Sequence, residues 1–208
     1  ISAVTLRRTD TESHSTRLPS AILRLLAVGI AAGMAATLTL TACSGGKQEA
    51  PSAGGFLQEP WQAVVAAARA WPDAAIGAEF NALFGGMGKP EVYLFGSHYL
   101  SGFLNEKPLA TLRTDLARLG LSRVDAMSET EDHFAYLCEV MRYLIAGDDV
   151  AVANLSRQKA FFGDHLHNWA LLMCDAIGAH PKARFYAALA EFTRAFLSVE
   201  SQGFDMLA

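Results

Sequence analysis

Residues 128–149 read SETEDHFAYLCEVMRYLIAGDD, in which a cluster of acids and one histidine precedes a strongly apolar run. The apolar residues of the run fall on one side of a helical wheel, so we expect a helix over about 129–146, ended by Gly147. Ser128 followed three residues later by Glu131 has the pattern of a capping box, which predicts that the helix begins there. This stretch therefore predicts a helix with an acidic entrance and a buried face.

The chain from residue 60 onward is predicted to be a series of helices. Pro60, Pro72, Pro108 and Pro181 each open a helical segment, and proline is favoured at the first position of a helix. No segment shows sustained alternation of apolar and polar residues with a period of two, so no sheet is expected. The helices after Gly147 are expected over about 150–163, about 165–178, and Pro181 to about 200. Two aromatic stripes at helical spacing are predicted to be core: Phe185, Leu189, Phe192 and Phe196, and Phe161, His165 and Trp169.

The composition is that of a compact, acidic protein. The 208 residues are 51% hydrophobic and 18% charged, which excludes a disordered chain and is enough for one domain with a core. The formal net charge of −4 argues against nucleic-acid binding through a basic surface and suits a cationic partner. Three cysteines without a C-x-x-C pair give neither a disulfide framework nor a zinc knuckle. Cys138 and Cys174 lie in apolar stretches and are predicted to be core residues in a reducing compartment.

Residues 1–59 are predicted to be a leader-like apolar segment followed by a linker. A basic flank, an uncharged apolar run and the lipobox-like LTAC ending at Cys43 give residues 17–43 the features of a lipoprotein signal. A buried first helix is the alternative, because an apolar run of this length is ambiguous. Residues 44–59 are rich in Gly, Ser and Pro, which is typical of a linker. The helical domain is therefore expected over 60–208.

The acidic entrance of the predicted helix has two interpretations from the residues alone. Carboxylates in a first turn oppose the positive end of the helix dipole, and with the capping box they account for Glu129, Glu131 and Asp132 without any function. On the predicted helix Asp132 points toward the polar face. His133 is harder to explain, because it falls on the apolar side with Glu129 one turn behind it and within reach.

Neither a metal site nor a catalytic site is predicted. Glu129 and His133 are four apart, whereas a di-iron bundle uses Glu-x-x-His. His165 and His167 are two apart, and no H-E-x-x-H motif occurs. No G-x-S-x-G motif is present, and the Gly-rich GGMGKP lacks the ending of a phosphate loop. Two classes of protein stay open on these residues alone. One is a helical metalloenzyme, and the other is a helical lipoprotein or periplasmic interaction module anchored through Cys43.

Three blocks of the sequence together resemble those of a known family. ETEDH at 129–133, ahead of FAYLCEVMRYLI, is similar to an E-x-P-x-D-H motif, with Glu131 in place of the proline. Residues 79–109 are similar to a block that joins an aromatic-Leu-Phe helix end to a Gly-Ser-x-Tyr loop. FFGDHLHNWALLM at 161–173 is similar to an F-F-x-x-H-L-x-x-W helix junction. In this order the blocks resemble the TorD/DmsD/NarJ family, cytoplasmic chaperones of molybdenum-containing redox enzymes.

The resemblance implies a single compact all-α helical bundle domain of the TorD-like type. It implies a chaperone that is not an enzyme and holds no cofactor of its own. Such a chaperone binds the twin-arginine signal peptide and the body of a molybdopterin-containing oxidoreductase in the cytoplasm and assists cofactor insertion and assembly before export. Residues 88–109 look closest to the branch near formate dehydrogenases. Neither a nucleic-acid partner nor stable membrane association is expected, and a homodimer is an option because some relatives dimerise.

The same resemblance implies a site for the signal peptide. Guanidinium groups prefer carboxylate acceptors and an apolar peptide segment needs an apolar groove, so acids at a helix entrance beside aromatic residues suit such a peptide. Ordinary core packing is the alternative for Leu83 and Phe84. The residues expected to form the site are Phe80, Leu83, Phe84, Leu94, Phe95, Gly96, Ser97, Tyr99, Glu129, Asp132 and His133.

Overall fold

Helices make up most of the part of the chain that the computed structural model describes, which is residues 6–8, 55–85, 89–123, 128–147 and 149–206. The α-helices are α1 (Gln58–Ala70), α2 (Asp73–Phe84), α3 (Gly96–Ser101), α4 (Lys107–Arg118), α5 (Phe134–Ala146), α6 (Leu155–Phe162), α7 (Asn168–Gly178) and α8 (Phe185–Asp205). A π-helical segment, Gly163–His167, joins α6 to α7. The predicted all-α class is confirmed. None of the described helices is long and apolar enough to cross a membrane.

The prediction that the chain contains no sheet is wrong in one place. Leu6–Arg8, β1, pairs antiparallel with Leu121–Arg123, β2, so that Leu6 lies opposite Arg123 and Arg8 opposite Leu121. Three residues are too few to show a period of two, and the two strands are far apart in the chain. A pairing of this kind leaves no signal in a local pattern.

Predictions for the N-terminal segment fall mostly outside the described residues. These predictions are the lipoprotein-like signal at 17–43, its lipobox cysteine Cys43, and most of the linker at 44–59. The described end of the linker already includes the start of α1 at Gln58, two residues before Pro60. Pro60 therefore lies inside the first turn of α1, where its missing N–H costs nothing.

The chain divides into two compact units. The first contains the described residues of Ile1–Gly46 and Phe95–Trp169, and the second contains those of Lys47–Leu94 and Ala170–Ala208. The first unit holds both strands, α3 to α6 and the π-helical segment, and the second holds α1, α2 and α8. Helix α7 begins in the first unit and continues into the second.

The first unit buries one face of α4 and one face of α5. In α4, Leu109, Leu112 and Leu116 recur at spacings of three and four, and all three are buried. Gly120 follows α4 with a φ of +70°, a left-handed conformation that favours glycine, and the predicted helix stop there is confirmed. Helix α5 packs against α6 and the π-helical segment. Its buried face includes Phe134, Leu137, Val140, Met141 and Leu144.

The second unit is built around α8, which packs against α1 and α2. The predicted aromatic stripe is buried, as expected for core, and includes Phe185, Leu189, Phe192 and Phe196. The ring of Trp61 in α1 lies 5.4 Å from the ring of Phe192, in a tilted arrangement. These contacts make α8 the central helix of the unit.

The start of α8 differs from the prediction, which placed it at Pro181. The helix begins at Phe185, and the carboxylate of Glu79 in α2 accepts hydrogen bonds from the backbone N–H groups of Arg184, Phe185 and Tyr186 at 2.8–3.2 Å. The first N–H groups of a helix lack partners within it, and a negative charge there opposes the helix dipole. The cap therefore comes from another helix. Sequence rules for helix capping consider only residues next to the helix start, so they do not predict it.

The two cysteines in the described part of the chain, Cys138 and Cys174, behave as small apolar residues. Cys174 is buried and Cys138 is half-buried, and neither forms a disulfide. Burial raises the pKa of the Cys174 thiol to about 12, so this side chain stays protonated and unreactive at neutral pH. The predicted core position of Cys174 is confirmed, and that of Cys138 holds only in part.

Candidate functional site

Helix α5 begins later than the capping-box pattern predicts. His133 is the N-cap residue, and its Nδ1 atom accepts a hydrogen bond from the backbone N–H of Ala135 at 3.2 Å. The Ser128 hydroxyl donates instead to the carboxylate of Glu129 at 3.2 Å. The predicted capping box is therefore wrong, and residues 128–133 form the approach to the helix rather than its first turn.

Glu131 is part of a structural ion pair. Its Oε2 atom accepts from Nε and Nη2 of Arg113 in α4, at 3.0 and 2.8 Å, and its Oε1 atom lies 3.9 Å from Nε of Arg123 in β2. The hydrogen bond to Glu131 is the main cause that raises the pKa of Arg113. Because Glu131 is buried, these two arginines hold the approach to α5 against α4 and β2. Glu131 therefore pairs with arginines instead of capping the helix, as its position in the sequence suggested.

Asp132 is a buried acid that links the start of α3 to the start of α5. Its Oδ2 atom accepts from both the backbone N–H and the hydroxyl of Ser97, and its Oδ1 atom accepts from the hydroxyl of Thr130 at 2.6 Å. The backbone carbonyl of Asp132 also accepts from the N–H of Gly96 at 3.0 Å. The expectation that Asp132 points toward the polar face of a helix is wrong, because it precedes α5 and faces inward.

His133 lies beside Phe95 and is neutral at physiological pH. The two residues form an isolated antiparallel bridge, and their rings meet edge to face with centroids 5.0 Å apart. Burial lowers the pKa of His133 to about 4, although the charge of Asp132 opposes that shift. The capping bond agrees with this direction, since Nδ1 must be unprotonated to accept from Ala135.

Glu129 stands apart from this pair. Its side chain is exposed, and its carboxylate accepts from the Ser128 hydroxyl. Among the described contacts, none joins Glu129 to His133. The predicted reach between them is wrong because both precede α5 and therefore do not have helical spacing.

A cavity of about 300 Å³ lies in the first unit beside Asp132. Helices α3 and α4, the start of α5, and the segment from the π-helical turn into α7 all contribute to its lining. Leu112, Leu137 and Trp169 provide apolar surface, while Ser97 and Asp132 provide polar surface. Of the residues predicted for the site, Gly96, Ser97 and Asp132 therefore line one cavity.

Trp169 explains why a glycine stands at position 96. A Cβ atom at Gly96 would lie 2.9 Å from Nε1 of Trp169 and 3.0 Å from its Cε2, closer than such atoms approach. The indole N–H donates to the carbonyl of His165 at 2.7 Å, and the Tyr99 ring stacks on the indole at 5.6 Å. Phe134 meets the same indole edge to face. Residues from all three blocks thus meet around one buried tryptophan within the first unit.

The lining of the cavity includes two acids that were not predicted from the sequence. Asp115 in α4 and Asp164 in the π-helical segment join Asp132 on the lining. Nε2 of His165 donates to Oδ2 of Asp115 at 3.0 Å, and Oδ1 of Asp115 pairs with the exposed Arg118 at 2.6 Å. An isolated aspartate on a helix surface is usually solvated, so only the fold reveals this grouping.

His165 and Trp169 were predicted as part of a core stripe with Phe161. All three are buried, and the Phe161 and His165 rings lie 4.9 Å apart, so this prediction is confirmed. The structure adds that both His165 and Trp169 also line the cavity. Their spacing alone could indicate burial but not which surface they face.

The other predicted site residues lie in the second unit. Leu83 and Leu94 are buried there. The rings of Phe80 and Phe84 lie 5.9 and 5.2 Å from the ring of Tyr186 in α8. Phe80, Leu83, Phe84 and Leu94 therefore take part in the packing of this unit. For Leu83 and Phe84, this is the core packing that the sequence left open as the alternative to a peptide site.

Comparison with known proteins finds one family. A family model described as the nitrate reductase delta subunit matches residues 51–175, more than half of the chain. The match covers all three sequence blocks and every residue that lines the cavity. No curated protein matches the chain.

Proposed function

Because the chain belongs to the nitrate reductase delta subunit family, a family of NarJ/TorD-like chaperones for molybdoenzyme maturation, we propose that it binds the twin-arginine signal peptide of its client. In this proposal the client is a molybdopterin-containing oxidoreductase. The chaperone holds the peptide in the cytoplasm while the molybdenum cofactor is inserted and the enzyme is assembled. Release for export follows. The chain itself performs no covalent chemistry.

The observation that carries the proposal is the acid-lined cavity at the meeting point of the three sequence blocks. Asp115, Asp132 and Asp164 lie on a lining that also contains leucines and a tryptophan. A twin-arginine peptide presents guanidinium groups next to an apolar segment. Carboxylates are the preferred partners of guanidinium, and an apolar wall suits the rest of the peptide.

The motif residues have different roles in this proposal. Asp132 already accepts three hydrogen bonds from Ser97 and Thr130, so its main task is to shape the cavity wall. His133 and Phe95 are the chain neighbours of Asp132 and Gly96, and they support that wall through their ring contact. Glu129 is exposed and is proposed as a direct acceptor for a peptide cation. Tyr99 positions Trp169 by stacking on it.

Phe80, Leu83, Phe84 and Leu94 are proposed as a separate apolar contribution from the second unit. Phe80 and Phe84 are half-buried and keep some surface for a peptide. Leu83 and Leu94 are buried, so their contribution would be to support the surface rather than to contact the peptide. Substituting Phe80 and Phe84 by serine, one at a time, tests this part independently of the cavity.

The client class and the cellular setting complete the proposal. A formate dehydrogenase is the proposed client, since residues 88–109 look closest to that branch of the family. The chain works without a cofactor or metal of its own, with no nucleic-acid partner and no stable attachment to the membrane. A homodimer is compatible with binding of the signal peptide, because each chain contains the whole cavity.

The proposal is tested by following maturation of a client enzyme. A host that lacks its own dedicated chaperone expresses a formate dehydrogenase from the same genome, with or without the chain. We expect the chain to raise both the molybdenum content and the activity of the enzyme. A client whose two signal-peptide arginines are replaced by lysine is the matched control and should gain less. Equal molybdenum content with and without the chain would contradict the proposal.

A further inference from the structure

The acids on the cavity wall differ in how far their charge is already satisfied. Asp132 is buried, and the donors that reach it from Ser97 and Thr130 are neutral. Asp115 has His165 and the exposed Arg118 as partners. The carboxylate of Asp164 is exposed, and within the described part of the chain no partner for it is found. Asp164 is therefore the acid most available to a visiting cation.

The spacing of these groups suits an extended cation better than a metal ion. Across residues 55–85, 89–123, 128–147 and 149–206, no three His, Cys, Asp or Glu side chains come close enough together to hold a metal. The acids come from three elements, α4, the approach to α5 and the π-helical segment. A guanidinium group is planar and carries five N–H donors, so it can reach several separated acceptors at once.

An exposed apolar loop lies at the edge of the same cavity. Leu100 in α3 and Pro108 in α4 both line the cavity, so the loop between them borders its opening. Leu100, Phe103 and Leu104 are 42%, 71% and 42% exposed. A contiguous exposed apolar patch is a common feature of interaction surfaces, and these three side chains lie within five consecutive residues. Negative charge and apolar surface are therefore adjacent, the arrangement complementary to an arginine that neighbours apolar residues.

We propose that the cavity takes the guanidinium of one arginine of the client peptide on Asp115 and Asp164, and that Leu100, Phe103 and Leu104 take the apolar residues beside that arginine. This rests on the proposed function and adds the residues that perform it. Asp164 accepts directly. Asp115 exchanges its surface partner Arg118 for the peptide guanidinium while His165 keeps its other oxygen in place. The volume of about 300 Å³ is at the lower end of small-ligand pockets, a size suited to one side chain.

The test measures binding of a synthetic, fluorescein-labelled twin-arginine signal peptide from a molybdoenzyme of the same genome. Fluorescence anisotropy compares the wild type with Asp164→Asn and the Asp115→Asn/Asp164→Asn double variant. We expect Asp164→Asn to weaken binding about fivefold and the double variant to weaken it about tenfold or more. Asp149→Asn is the matched control, because it makes the same change in the first unit at a residue that does not line the cavity.

The outcome of this experiment separates the subsite from the wider proposal. A wild type that binds no twin-arginine peptide overturns the proposed function and the subsite together. A wild type that binds, with the double variant and Asp149→Asn binding equally well, overturns only the subsite. Asp164→Asn breaks no contact found among the described residues, so it should keep the wild-type melting temperature. Peptides with each arginine replaced singly by alanine should show which one couples to Asp164, because coupled changes are not additive.

The apolar part of the subsite has its own test. Phe103→Ser removes the most exposed apolar side chain of the loop and should weaken binding of the full signal peptide about threefold or more. Val150→Ser is the control, since Val150 is 80% exposed in the same unit but is not part of the loop. Equal losses in the two variants would show that the loop is not part of the site.

Discussion

His133 and Asp132 are adjacent residues with opposite electrostatic settings. Asp132 is held as an acceptor by Ser97 and Thr130, whereas His133 is kept neutral by burial and by its own capping bond. An acid-histidine pair in a motif suggests proton transfer or ligand contact. In this fold each of the two residues mainly fixes the backbone between α3 and α5.

The first prediction concerns the pH dependence of folding. His133 has a pKa of about 4 in the folded protein against 6.5 as its ordinary value, so below pH 6.5 the unfolded chain binds a proton that the folded chain does not. The contribution of His133 to the free energy of unfolding should therefore be fully present above pH 6.5 and should be lost as the pH falls toward 4. Between pH 7 and pH 5 the two pKa values limit the loss to about 2 kcal/mol. Urea denaturation at the two pH values measures it.

Asparagine at position 133 provides the control for this measurement. Asn is a favoured N-cap residue and does not titrate, so His133→Asn should keep the start of α5. The difference in stability between pH 7 and pH 5 should be smaller in the variant than in the wild type. Equal pH dependence in the two proteins would show that His133 is not the responsible group.

The second prediction concerns Gly96. In Gly96→Ala the new methyl group would meet the indole of Trp169 at 2.9 Å, and the indole is held by the carbonyl of His165. We expect a loss of about 1–3 kcal/mol in the free energy of unfolding, as in other overpacked cores. Gly163→Ala is the matched control, because a Cβ there meets no atom within 4 Å and the backbone is helical. It should be neutral or slightly stabilising in the same denaturation assay.

The helix starts are where local sequence rules and the structure disagree. The approach to α5 satisfies a capping-box pattern, yet Glu131 pairs with Arg113 and Arg123. Helix α8 begins four residues after Pro181, because its cap is Glu79. Glu131 and Arg113 are 18 residues apart, and Glu79 and Phe185 are 106 residues apart, so neither pairing shows in a local pattern. The apolar faces of the helices were predictable because helical periodicity is a local property.

The third prediction tests the cap on α8. Glu79→Ala leaves the N–H groups of Arg184, Phe185 and Tyr186 without their carboxylate, and should reduce the free energy of unfolding by about 1–2 kcal/mol. Glu79→Gln keeps an acceptor oxygen and should lose less. Glu191→Ala, an exposed change within α8 itself, should stay within about 0.5 kcal/mol of the wild type. Equal losses for Glu79→Ala and Glu191→Ala would argue against the cap.

For the molecule as a whole, the class of fold and part of the site were predictable from the sequence. Helical periodicity predicts the all-α class, and the family resemblance selects Gly96, Ser97 and Asp132, which line one cavity. Asp115 and Asp164 were not predictable, because nothing in their local sequence separates them from solvated surface acids. Phe80 and Phe84 were selected by the same resemblance, yet they belong to the second unit.

In the proposed function, the chain recognises the arginine pair of a molybdoenzyme signal peptide. Isothermal titration calorimetry of the purified chain with that peptide, and with the same peptide carrying two lysines in place of the arginines, separates recognition of the arginines from attraction to any cation. Lysine keeps the charge but loses the planar, multidentate guanidinium. We expect saturable binding of the arginine peptide and binding at least about tenfold weaker for the lysine peptide. Equal affinity for the two peptides, or no heat of binding with either, would contradict it.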